Sequence, residues 1–138
     1  MNNKIRIIII SFISVFLFQG LTCCQKASIN GDLDGRWQIL EIENSGEVEY
    51  VKDKQLYYNF YMHVCNLSFY GGIFTEANFH YNDNLITLDF PYIDSPEKMD
   101  KLKEYGIYST TVEFNVVYLD NKKLIMQNDE SVITLRKF

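Results

Sequence analysis

Few residues in this chain combine the types and the spacing that catalysis or metal binding requires. His63 and Cys65 lie two positions apart and would share one face of a strand, but neither lies at a helix start or in a glycine-rich turn, where a thiol is activated. His80 could join them only if their strands pair. Two histidines and one cysteine are then the minimum number of ligands for a metal site, so the indication is weak. Acids such as Glu97 and Asp100 suit a helix surface better than an acid–base pair. We therefore expect a chain that is not an enzyme and that holds no metal or other cofactor.

Tyrosine is the most concentrated residue type that could bind a ligand. A tyrosine side chain offers both apolar area and a hydrogen bond, so a cluster is consistent with an aromatic pocket or a partner-binding face. Ordinary barrel packing explains the same cluster equally well, and the sequence leaves both interpretations open. The clustered residues are Tyr57, Tyr58, Tyr61, Tyr70, Tyr81 and Tyr92.

The N-terminus indicates where the protein works. A basic start is followed by an apolar run over 7–18 and then by Leu21-Thr22-Cys23-Cys24. This ending resembles the bacterial lipobox, in which a cysteine is acylated and becomes the new N-terminus. We predict that residues 1–23 are a lipoprotein signal peptide and that Cys24 carries the lipid. An ordinary secreted protein with two incidental cysteines is the alternative. The expected location is the bacterial cell envelope; the outer membrane is favoured, and the residues after Cys24 do not decide between it and the inner membrane.

The charge of the chain limits its partners. The formal net charge is −5, and the predicted signal peptide removes two basic residues and no acid. An acidic chain without a basic cluster argues against nucleic acid and anionic lipid as partners. The acyl chains would then hold the protein to the membrane. The sequence does not indicate an oligomeric state.

The remaining chain reads as one small domain that follows a short linker. The segment 24–33 is short and mostly polar, and we predict that it is a lipid-anchored tether. After the signal peptide and the lipid site, Cys65 stands alone, so no internal disulfide is expected. Packing alone must therefore hold residues 34–138 together.

Residues 34–138 alternate short apolar strands with turn residues. A helix is expected between Ser95, a good N-cap before Pro96, and Gly106. About eight strands and one short helix predict an all-β fold, a small closed antiparallel β-barrel, with a sandwich as the alternative. The predicted strands cover 35–42, 55–70 with a bulge, 73–81, 85–90, 108–119, 123–127 and 131–137.

Two segments, one at the first predicted strand and one at the last, resemble a known family. Gly35-Arg36-Trp37 at the first strand and Leu135-Arg136-Lys137-Phe138 at the last resemble the small lipocalin-like lipoproteins of Bacteroidetes. In lipocalins and fatty-acid binding proteins the tryptophan packs at the closed end of the barrel under a basic residue from the last strand. The resemblance implies that Trp37 and Arg136 form this structural closure.

Two function classes remain open. The first is a membrane-anchored, non-catalytic protein that binds a small apolar or amphipathic ligand inside the barrel. The second is a cell-envelope module with a filled barrel that binds a protein or a glycan. The residues predicted to face the interior and contact such a ligand are Tyr58, Phe60, Met62, Phe90, Phe114 and Tyr118.

Overall fold

The computed structural model describes residues 28–138, which form a closed antiparallel β-barrel with one α-helix. Strands β3 to β9 pair in sequence order, and β1 pairs with both β3 and β9, which closes the sheet. The all-β barrel predicted from the sequence is therefore confirmed. The strands are β1 (Gly35–Asn44), β2 (Glu47–Tyr50), β3 (Tyr57–Tyr61), β4 (Val64–Phe69), β5 (Gly72–Asn82), β6 (Leu85–Asp89), β7 (Thr111–Leu119), β8 (Lys123–Gln127) and β9 (Ser131–Lys137).

β2 is an additional strand outside the closed barrel. The first part of β1 pairs with β3, its last part pairs with β2, and β9 runs along its other edge. The β1–β2 hairpin turns at Ser45 and Gly46, which both have a left-handed φ, of 52° and 84°. All four residues of β2 are exposed. Its apolar residues Val48 and Tyr50 alternate with glutamates but are 44 % and 79 % exposed, so β2 adds no side chain to the core. The sequence analysis did not predict this strand.

The prediction of one bulged strand over 55–70 is wrong, because this stretch forms two strands. β3 and β4 form a hairpin through Met62 and His63, and Met62 has a left-handed φ of 53°. The core-facing residues are Tyr58 and Phe60 in β3 and their hairpin partners Leu67 and Cys65 in β4, so the apolar positions change from even to odd numbers. A hairpin and a bulge shift the apolar phase in the same way, so the phase alone did not separate them.

One helix, α1 (Pro96–Lys103), lies between β6 and β7, and its predicted start is confirmed. The Ser95 hydroxyl accepts a hydrogen bond of 3.3 Å from the Lys98 amide, and Pro96 takes the first helical position. The chain leaves the helix at Gly106, whose φ is +77°.

The segment from α1 to Ile107 covers one end of the barrel. Leu102, Tyr105 and Ile107 are fully buried and belong to the same core as the strands. The Gly106 carbonyl accepts hydrogen bonds from Ser131 Oγ (2.9 Å) and Asn128 Nδ2 (3.2 Å), at the β8–β9 connection. This end of the barrel is therefore closed by packed and hydrogen-bonded chain.

The opposite end is closed by residues ahead of β1. A short 3₁₀ turn, Gly31–Leu33, places Leu33 fully inside the core, although the sequence assigned these residues to the tether. Asp34 accepts hydrogen bonds from Ser28 Oγ (2.7 Å) and Asn30 Nδ2 (2.6 Å). Partial burial opposes ionisation of Asp34, but these hydrogen bonds hold its pKa below the ordinary value.

The predicted signal peptide, residues 1–23, and the predicted lipid site at Cys24 lie outside the described residues. Over residues 28–138, α1 is too short and too polar to cross a bilayer.

Candidate functional site

Four of the six residues predicted to face the interior do so, and they belong to one buried hydrophobic core. Tyr58, Phe60, Phe90 and Phe114 are between 0 and 2 % exposed. The ring centroids of Tyr58 and Phe60 are 5.9 Å apart, and those of Phe60 and Phe79 are 5.0 Å apart. These distances are typical of aromatic pairs in direct contact. The side chains that would line a ligand cavity therefore fill the space themselves.

A hydrogen-bonded pair of tyrosines ties the covering segment to the barrel wall. Tyr58 Oη donates to the Tyr105 carbonyl (2.6 Å), and Tyr105 Oη donates to the Ser68 carbonyl (3.0 Å). The ring of Tyr105 also stacks on Phe74, with centroids 5.8 Å apart. Burial raises the pKa of Tyr58 and that of Tyr105 above their ordinary value, so both hydroxyls stay protonated and remain donors.

The prediction that Met62 and Tyr118 face the interior is wrong. Met62 lies in the β3–β4 turn, where its carbonyl accepts a hydrogen bond from Asn30 Nδ2 (3.0 Å). Tyr118 follows a break in the β7–β8 register between Val116 and Tyr118, and it is 47 % exposed. An extra residue in one strand turns the following side chains to the other face. Tyr118 Oη consequently donates to Asp120 on the surface (2.7 Å), and this hydrogen bond raises the pKa of Tyr118.

Trp37 lies at the closed end as the resemblance implied, but its cationic partner is Lys137 and not Arg136. Trp37 is fully buried, and its Nε1 donates to the Leu33 carbonyl (2.7 Å). Lys137 pairs with Trp37 across β1 and β9 and places Nζ 4.9 Å from the indole ring. Lys137 Nζ also donates to the Asp32 carbonyl (2.6 Å). Arg136, one position earlier on the strand, points to the opposite, outer face.

The glycine of the Gly35-Arg36-Trp37 motif has a direct steric role in this closure. Gly35 has a φ of +126°, and a Cβ added there would lie 2.9 Å from Lys137 Cε. A glycine adopts this φ without strain, whereas any other residue would be strained and would also displace the end of the Lys137 side chain. Gly35 therefore lies directly beside the Lys137 side chain that covers Trp37.

The residues first considered for catalysis or metal binding do not converge. Cys65 is fully buried inside the barrel, and burial raises the pKa of its thiol. His63 lies exposed in the β3–β4 turn, and His80 is exposed on β5. Over residues 28–138, no group of three or more potential ligands lies close enough to hold a metal ion.

A concave site missed by the sequence analysis lies on the outer wall, where β1 meets β3 and β9. It encloses about 520 Å³. Gln38 pairs with Tyr57 on one side and with Arg136 on the other, which places these three side chains on one outer face. The sequence signal was available, because Arg36 and Gln38 alternate with the inward Trp37. We call this concavity the arginine groove. Its lining residues are Arg36, Gln38, Lys52, Asp53, Gln55, Tyr57, Tyr70, Arg136 and Phe138. The Asp53 carboxylate forms no ion pair with either arginine.

Comparisons with known proteins agree with the architecture. Two solved structures cover most of this chain: a lipocalin-like protein from Bacteroides uniformis (23 % identity, TM-score 0.61, covering 78 % of this chain and 100 % of that one) and an uncharacterized protein from Bacteroides eggerthii (18 % identity, TM-score 0.58, covering 76 % and 98 %). At these identities the likeness concerns the fold alone. No curated protein matches the chain.

The model of the lipocalin-like domain matches residues 18–138, which is most of the chain. This match includes the glycine, arginine and tryptophan that open β1 and the lysine that lies against the tryptophan. The chain belongs to the lipocalin-like domain family.

Proposed function

We propose that the protein is a non-catalytic binding protein of the bacterial cell envelope that recognises its ligand on the outside of a filled barrel. The lipocalin-like fold is in general a binding fold without catalysis. The observation that carries the proposal is the packing of Tyr58, Phe60, Phe90 and Phe114, which are at most 2 % exposed. A barrel of eight strands can either hold one small ligand or fill its interior with side chains, and this packing favours the second case.

Binding of a small apolar ligand inside the barrel is the competing function. Such a ligand would have to displace the segment that covers one end, including Tyr105 and its two hydrogen bonds. It would also have to separate aromatic rings that are already in contact. Both steps are unfavourable, so the outer wall is the better site for recognition.

Contact quenching of Trp37 distinguishes the two functions. Trp37 is the single tryptophan and is fully buried at the base of the interior. A brominated dodecanol quenches a tryptophan that it touches, so we expect its titration to leave the Trp37 emission unchanged. Unbrominated dodecanol is the control for nonspecific effects. Saturable quenching by the brominated alcohol alone would favour the interior carrier and would contradict our proposal.

Anchoring is proposed to occur through acyl chains on Cys24, with the outer membrane as the expected location. The support is the Leu21-Thr22-Cys23 context that precedes Cys24. We expect Cys24→Ser to abolish acyl labelling and to leave an uncleaved precursor, as measured by metabolic labelling and mass spectrometry in a bacterial host. Cys23→Ser is the matched control and should be processed normally. Loss of labelling in Cys23→Ser alone would move the lipid site by one residue.

A further inference from the structure

Both arginines of the described residues lie in the arginine groove. The sequence contains ten lysines but only three arginines, namely Arg6, Arg36 and Arg136. Arg6 falls in the predicted signal peptide, and both of the others line the arginine groove. They lie on neighbouring strands, because Gln38, two residues after Arg36, pairs with Arg136. Diagonal neighbours on one face of a sheet are about 7–8 Å apart, close enough for both side chains to contact one small ligand.

Arg36 is held in place by aromatic rings and not by an acid. Its Cζ lies 3.9 Å from the centroid of the Tyr57 ring and 5.1 Å from that of Phe138. These two rings also contact each other edge to face, with centroids 5.2 Å apart. Over residues 28–138, the ion pairs are made by lysines, and Arg36 takes part in none of them. The guanidinium of Arg36 is therefore packed against aromatic rings, and its N–H groups form no ion pair with any described residue.

Arg136 is positioned by a buried amide. Its Nε donates to Gln38 Oε1 (2.9 Å), and Gln38 Nε2 in turn donates to the Lys52 carbonyl (3.1 Å). Gln38 is only 3 % exposed, so the amide is fixed by its surroundings. Among the described residues Arg136 likewise forms no ion pair. The terminal Nη groups are thus left for an acceptor from outside the chain.

Resting on the proposed function, we propose that the arginine groove binds an organic anion whose carboxylate or phosphate group is held by Arg36 and Arg136. A guanidinium donates two parallel hydrogen bonds to such a group, and its planar fork matches the spacing of the oxygens. Asp53 also lines the groove but forms no ion pair with Arg36 or Arg136. Two neighbouring cations that are not ion-paired repel each other, and a bound anion relieves that repulsion. Tyr70 and Phe138 border the groove and are 86 % and 66 % exposed, which provides apolar area for the rest of the ligand.

Three small probes test the chemistry on the full-length protein in a nonionic detergent. We expect benzoate and phenyl phosphate to bind with a Kd on the order of 1 mM, and benzamide, which has the same ring but no charge, to bind at least about tenfold more weakly. The measurement is nuclear magnetic resonance of the arginine side chains, in which the Nε signals of Arg36 and Arg136 should shift with the anions. The preferred anion distinguishes a carboxylate ligand from a phosphate ester.

Substitutions locate the site. Arg36→Gln and Arg136→Gln should each weaken anion binding about tenfold or more, since a hydrogen bond to a charged group is lost. Lys122→Gln removes the same charge from an exposed turn outside the groove and should leave binding unchanged. Gln38→Glu places a carboxylate against Arg136 and should also weaken binding by occupying the site from within the chain.

The outcomes separate this inference from the proposed function. Anion binding that maps to the groove and is lost in both arginine variants supports it. Absence of binding, equal binding of benzamide, or binding that persists in both arginine variants would overturn it. Quenching of Trp37 by the brominated alcohol would instead contradict the filled barrel, whatever the anions do.

Discussion

We expect Trp37→Ala to lower the free energy of unfolding by about 3–5 kcal/mol, the range for truncating a large buried aromatic side chain. Trp37 is fully buried, donates through Nε1 to the Leu33 carbonyl and lies under Lys137 Nζ. Its loss would leave a cavity at the closed end and an unsatisfied carbonyl in the 3₁₀ turn. Domains of this size are stable by roughly 5–15 kcal/mol, so a large part of the stability depends on this side chain. Denaturant unfolding measures the change.

A double-mutant cycle then tests which cation is the partner of Trp37. We expect Trp37→Ala and Lys137→Met to be coupled by about 0.5–1 kcal/mol, the strength of a partly exposed cation–π contact. Trp37→Ala and Arg136→Met should be additive within about 0.5 kcal/mol, because Arg136 lies on the other face of β9. Coupling with Arg136 and none with Lys137 would contradict the register at this end of the barrel.

The second large effect is expected at the covered end. Tyr105→Ala should lower the free energy of unfolding by about 3–5 kcal/mol, because a fully buried ring that stacks on Phe74 is lost. Tyr105→Phe keeps the ring and loses the hydrogen bond to the Ser68 carbonyl, so it should cost about 1 kcal/mol.

An exposed tyrosine provides the control for this position. Tyr92 is 63 % exposed just before α1, and Tyr92→Ala should change the free energy of unfolding by less than about 0.5 kcal/mol. Equal effects of Tyr92→Ala and Tyr105→Ala would mean that Tyr105 does not pack as described. Equal effects of Tyr105→Phe and Tyr105→Ala would assign its role to the hydroxyl alone.

Local patterns were sufficient for much of the fold. The bounds of β8 and β9 follow directly from the alternation of apolar side chains between turns rich in Asn and Asp. The helix start followed from Ser95 and Pro96, whose chemistry suits only the first turn of a helix. These features were predictable because the information lies within a few neighbouring residues.

The errors arose where one residue changes the direction or the phase of the chain. The turn at Met62 and His63 contains no glycine or asparagine, so nothing marked it as a hairpin. The register break after Val116 turned Tyr118 outward without a sequence signal. The wrong assignment of Arg136 as the cationic partner of Trp37 was avoidable. Leu135 faces the core, and because side chains alternate along a strand, Lys137 must face the same way.

The candidate site was the least predictable part. Its residues come from three strands, the segment between β2 and β3, the β4–β5 turn and the residue after β9, and none of them is unusual alone. Two properties define the arginine groove. Within residues 28–138 neither Arg36 nor Arg136 forms an ion pair, although Asp53 also lines the groove, and the buried Gln38 orients Arg136. Neither property can be read from one strand, because both depend on the pairing of β1 with β3 and β9.

Xenon binding in crystals of the protein tests the central claim, a filled barrel, most directly. Xenon enters apolar cavities that remain empty and does not compete with packed side chains. We predict no xenon inside the barrel of the unmodified protein and a bound atom near Tyr58 and Phe74 in Tyr105→Ala, where the ring has been removed. Xenon bound among Tyr58, Phe60, Phe90 and Phe114 of the unmodified protein would contradict the account and would return the interior to its role as the ligand site.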